Sequence, residues 1–149
     1  MPDRLAQGLL DTSVIVDLDR LDASHLPGEV AISTVTLAEL SASPSATTDP
    51  AERARRQDRL PRTEAAFDPI PFDIRSARAY GRVYAAVVGQ GRQSRRGQSR
   101  LGQSKLGQSR LGFADLLIAA TALAEDLPLV TRNGEDFKGL EDLITVVEI

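Results

Sequence analysis

The chain has 149 residues, 42% of them hydrophobic, and a formal net charge of −3, which is enough apolar material for one buried core and too little length for a second domain. It contains no cysteine and one histidine, His25, which excludes disulfides and thiolate metal sites and cannot supply a zinc site or a Ser-His-Asp relay with any redundancy. Any metal must therefore sit on oxygen ligands.

The segment Met1 to Gln7 lacks the basic start and apolar stretch of a signal peptide. The longest apolar run, Leu116 to Ala124, is too short to span a bilayer. A cytosolic protein with no membrane partner is expected. Gly8-Leu9-Leu10-Asp11-Thr12-Ser13-Val14-Ile15-Val16 predicts a short buried strand that ends on an aspartate and turns at once into a helix, with Thr12 or Ser13 as its N-cap. Taken alone, Asp11 reads equally well as a cap or as a carboxylate at the carboxyl end of a strand, the edge of a parallel sheet where ligands bind. His25 lies in a solvated loop and is assigned no role.

Val30 to Ser33 predicts a second strand, and Thr34 to Leu40 a helix that stops before Pro44. Glu39 sits within that helix, in step with Thr36 and Ser43, and can face either a cleft or water. A charged helix follows from Ala51 to about Phe67, bearing Arg53, Arg55, Arg56, Arg59 and Arg62, with Pro61 expected to kink or split it. Asp68 to Phe72 predicts a brief strand. Ile74 to Val88 predicts a long helix with Ala77, Tyr80, Val83, Tyr84 and Val87 on its inner side.

Gly97-Gln98-Ser99-Arg100-Leu101 then recurs as Gly102-Gln103-Ser104-Lys105-Leu106 and Gly107-Gln108-Ser109-Arg110-Leu111. A five-residue period matches neither helix nor strand, so a flexible basic loop is expected over about 91–111. It carries Arg92, Arg95, Arg96, Arg100, Lys105 and Arg110 and no acidic residue, and a duplicated surface insertion is the simplest account of its origin.

Gly112 to Ala122 predicts a helix that is apolar nearly all round, with Asp115 in its first turn. Leu127 to Thr131 predicts a strand, Arg132 to Phe137 a polar turn at its end, and Ile144 to Val147 a last strand. Strands alternating with helices imply a single α/β domain over 1–149, a three-layer α/β/α sandwich with a central parallel sheet. That topology brings Asp11, Glu39, Asp115 and Asp136 to one edge. Four carboxylates repel one another unless a divalent cation neutralises them, which points to Mg²⁺ or Mn²⁺ and to phosphodiester hydrolysis without histidine or cysteine.

At these residues the chain resembles the PIN-domain ribonucleases, and among them the VapC-type toxins of bacterial toxin–antitoxin pairs. The matching pieces are Leu10-Asp11-Thr12-Ser13, Ser33-Thr34-Val35-Thr36-Leu37-Ala38-Glu39-Leu40, Asp115-Leu116-Leu117-Ile118-Ala119-Ala120-Thr121-Ala122, and Leu129-Val130-Thr131-Arg132-Asn133 followed by Asp136-Phe137. The resemblance implies that Asp11, Glu39, Asp115 and Asp136 form the catalytic quartet, with Asp11, Asp115 and Asp136 as metal ligands and Thr12, Ser13, Thr131 and Asn133 lining the site. It further implies an endoribonuclease that cuts RNA, forms a homodimer, and is silenced by a cognate antitoxin in a dimer of heterodimers. The repeat departs from the family's pattern, in which a shorter basic linker joins these helices. Two other readings share the same residues. A small-substrate phosphohydrolase would also begin with a strand-end aspartate, but Ser13 stands where its second aspartate belongs. A catalytically silent binding module would bind no metal.

Overall fold

A computed structural model describes residues 4–94 and 112–149, with side chains up to residue 89 in the first segment. The repeat units from Gly97 to Leu111 lie outside the described residues. Four short strands, β1 (Gln7–Leu10), β2 (Glu29–Ala31), β3 (Leu129–Thr131) and β4 (Val146–Glu148), form one sheet in the order β2-β1-β3-β4, and every pairing is parallel. All four carboxyl ends therefore open on one edge.

The strands alternate sides, as the pleat requires. Leu9 and Leu129 face a core shared with Val83, Leu116, Ile118 and Phe137, while Leu10 and Val130 face another with Val14, Ile15, Ile32 and Leu40. The first core is covered by α4 (Ile74–Ser94) and α5 (Phe113–Glu125), the second by α1 (Thr12–Val16), α2 (Thr34–Ala42) and α3 (Pro50–Ala66). This is the expected α/β/α sandwich. No helix among the described residues is long and apolar enough to cross a membrane.

Local chemistry places several elements differently from the sequence reading. Asp11 itself, not Thr12 or Ser13, caps α1, its carboxylate accepting from the Val14 N–H. Ser33 is not in β2; it caps α2 by accepting from Thr36 N at 3.1 Å and makes one isolated bridge to Ile70, which is all that forms of the strand expected over 68–72. Helix α3 starts on the Asp49 cap with Pro50 in its first turn and runs unbroken through Pro61. Leu60 and Phe67 anchor the helix on the core, and the buried Thr63 donates its hydroxyl to the Arg59 carbonyl.

On α4 the buried positions are Ser76, Ala79, Val83 and Val87, whereas Ala77 is exposed and Tyr84 is 41% exposed. The expected Val83 and Val87 do face inward, with Tyr80 half-buried against the core; at the amino end Ser76, whose N–H bonds the Asp73 carboxylate, faces inward in place of Ala77. β3 begins at Leu129 because Leu127 N still bonds Ala122 O at the end of α5. β4 begins two residues later than expected because Ile144 N is engaged by Leu140 O in the preceding turn.

Candidate active site

Asp11 follows the central strand β1 and is 4% exposed. Its Oδ1 accepts from Ser13 Oγ at 2.5 Å and from Val14 N at 3.3 Å, and its Oδ2 accepts from Thr131 Oγ1 at 2.6 Å. Each hydroxyl is oriented in turn by the loop after β3: Ser13 Oγ accepts from Arg132 N at 3.1 Å, and Thr131 Oγ1 accepts from Asn133 N at 3.0 Å. Burial pushes the Asp11 carboxyl up from its ordinary range, while the hydrogen bonds from Ser13, Thr131 and Val14 pull it back. The backbone thus holds a buried carboxylate oriented through two hydroxyls.

Glu39, half-buried on α2, accepts from Thr12 Oγ1 at 2.5 Å, and Thr12 Oγ1 also lies 3.1 Å from Thr36 Oγ1. Asp115 stands in the first turn of α5, where its Oδ2 accepts from the Gly112 N–H at 3.1 Å. Asp136 lies in a single 3₁₀ turn, Gly134–Phe137, pinned by the buried Phe137. Asn133 is exposed at the start of that turn.

Asp115 feels the other three carboxylates. Asp115 is pushed up to about 6, first by burial and then by the negative charges of Glu39, Asp11 and Asp136, against the lowering effect of the Gly112 N–H. The structure therefore gathers the whole predicted quartet within electrostatic reach of Asp115. Among the described residues the acidic side chains do not converge tightly enough to make a closed ligand set by themselves. The donor set is entirely oxygen, the ligand type that hard divalent cations take.

Thr36 is the site residue whose role the sequence reading missed. Its place beside Thr12 depends on α1 and α2 meeting in space, although its position one helical turn before Glu39 was a usable signal. A cavity of about 280 Å³ lined by Leu127, Pro128, Ile144 and Thr145 opens at the opposite, amino-terminal end of β3 and β4 and shares no residue with the quartet.

Comparison with known proteins identifies the family and the fold. Residues 8–143 match the PIN domain family. The chain is 33% identical over 146 residues to Ribonuclease VapC5 of Mycobacterium tuberculosis, covering 95% of this chain and 93% of that protein. It superposes on the crystal structure of VapBC-5 from Mycobacterium tuberculosis, a member of the VapBC family of toxin–antitoxin systems, with a TM-score of 0.73 and 29% identity over 97% of this chain and 99% of that one. VapBC2 from Rickettsia felis matches in fold, with a TM-score of 0.66 and 21% identity over 96% and 98% of the two chains. With strand-end Asp11, helix-borne Glu39 and Asp115, and Asp136 after β3 all at one sheet edge, this chain belongs to the PIN domain family and is similar to its VapC ribonucleases.

Proposed function

We propose that this protein is a Mg²⁺- or Mn²⁺-dependent endoribonuclease toxin that hydrolyses RNA phosphodiester bonds and is neutralised by a cognate antitoxin. The observation that carries this reading is the placement of Asp11, Glu39, Asp115 and Asp136 at one sheet edge, where burial first and then the charges of the other three raise the Asp115 carboxyl. Asp11, Asp115 and Asp136 would hold the ion. Bound there, the divalent ion supplies Lewis acidity toward a phosphoryl oxygen and lowers the pKa of water.

The chain's own residues prepare the site. Ser13 and Thr131 orient Asp11 so that its charge faces the edge despite its burial. Thr12 fixes Glu39 as the fourth negative group. The Gly112 amide orients Asp115. The identity to Ribonuclease VapC5 supports RNA as substrate, and the likeness to VapBC-5, solved as a toxin–antitoxin system, supports an antitoxin partner. A homodimer, paired with antitoxin as a dimer of heterodimers, belongs to the same proposal.

Purified protein incubated with total RNA in Mg²⁺ should yield discrete cut ends that disappear with chelator and in the Asp11→Asn variant. RNA left intact in Mg²⁺ and Mn²⁺ would refute the activity. Cutting that persisted in chelator would refute the metal requirement.

A further inference from the structure

Glu148 lies outside the quartet, at the carboxyl end of the edge strand β4 and in register with Thr131. Its Oε1 accepts a hydrogen bond from the Gly134 N–H at 3.1 Å. Gly134 is the first residue of the single turn that carries Asp136. The packing there is close: a Cβ on Gly134 would stand 3.3 Å from both Cβ and Cδ of Glu148, so a side chain at 134 would press on the carboxylate.

The rest of the strand end is tied to the same loop. Ile149 N donates to Thr131 O at 3.0 Å, and Arg132 Nη1 donates to Ile149 O at 3.3 Å. The far end of the turn is anchored by Phe137, which is 2% exposed. An isolated 3₁₀ turn has few hydrogen bonds of its own and poor geometry in those it has, so its conformation depends on what grips its two ends. Phe137 grips one end, and Glu148 grips the other.

We propose that Glu148 is a positioning residue, which orders the Gly134–Phe137 turn so that Asp136 is presented to the carboxylate cluster, without itself touching metal or RNA. This inference rests on the reading of the quartet as a metal site. It separates cleanly from the alternative that Glu148 matters as one more negative charge. A glutamine keeps an oxygen that can accept from the Gly134 amide and loses the charge; an alanine loses both.

The test uses the full chain and Glu148→Gln and Glu148→Ala variants, with Mn²⁺ binding followed by calorimetry and exchange of the Gly134 amide followed by NMR. Removing a group that orients a ligand typically weakens metal binding by about tenfold or more. Glu148→Ala should show that loss together with faster Gly134 exchange, and Glu148→Gln should stay near the parent in both. Parental Mn²⁺ affinity in Glu148→Ala would overturn the proposal, as would a Glu148→Gln variant as weak as the alanine. If the parent itself bound no Mn²⁺, the metal reading would fall, and Gly134 exchange would decide positioning alone: unchanged exchange in Glu148→Ala would overturn it.

Discussion

Thr131 donates its hydroxyl to Asp11 Oδ2 at 2.6 Å, and through that bond the end of β3 holds the carboxylate that ends β1. Thr131 is fully buried, and the same oxygen accepts from Asn133 N. No buried side-chain polar atom among the described residues lacks a partner. Thr131→Val keeps the shape and removes both bonds, leaving a buried carboxylate oxygen short of a donor and a backbone N–H without its acceptor. The expected loss is about 1–3 kcal/mol in urea unfolding, with Thr131→Ser recovering most of it. A valine variant as stable as the parent would show that the bond contributes nothing net.

Asp115 gives the fold a pH dependence of definite sign. Its carboxyl titrates near 6 in the fold against an ordinary 3.8, so the folded state keeps a proton that the unfolded chain has lost. The resulting stabilisation is fully present below the unfolded value and is lost as pH rises through the folded one. In chelator, the parent should therefore lose stability between those two values. Asp115→Asn, which cannot ionise, should be more stable than the parent above pH 6, by on the order of 2 kcal/mol, and the gain should vanish in acid. Melting curves across this range that ran parallel for the two proteins would contradict the crowding of charge at Asp115.

Thr12 bonds Glu39 without being acidic itself. Thr12→Val should leave stability within about 1 kcal/mol of the parent, because the hydroxyl is only half-buried. It should slow RNA cleavage by roughly tenfold or more, as loss of a group that orients a functional side chain does. A parental cleavage rate would mean that Glu39 needs no such support.

The chain's fold was legible because its signals are local. Alternating strands and helices require parallel pairing, and parallel pairing sends Asp11, Ser33, Thr131 and Glu148 to one edge. What was missed depended on contacts between distant segments or on competition for a single cap. Nothing in Thr12-Ser13 announces that Asp11 takes the cap while Ser13 bonds both its carboxylate and the Arg132 amide, 119 residues away. On α4 Val83 and Val87 were legible as inward, but small residues such as Ser76 and Ala77 do not declare which of them faces inward. Pro61 suggested a break, and the packing of Leu60 and Phe67 overrode it. Glu148 reads as an ordinary surface charge until β4 is paired with β3.

The central claim is that Asp11, Asp115 and Asp136 hold a divalent cation at this edge, with Glu39 beside them as the fourth negative group. Calorimetric titration of Mn²⁺ into the full chain, into Asp11→Asn and Asp115→Asn, and into a control, Asp142→Asn, at a residue that lines the cavity at the amino-terminal end of β3 and β4, tests it directly. The account predicts saturable binding by the parent and by Asp142→Asn, with a gain in folding stability of about 2.7 kcal/mol at a hundredfold excess over Kd, and binding lost or severely weakened in both quartet variants. A parent that takes up no Mn²⁺, or quartet variants that bind it as tightly as the parent does, would contradict it.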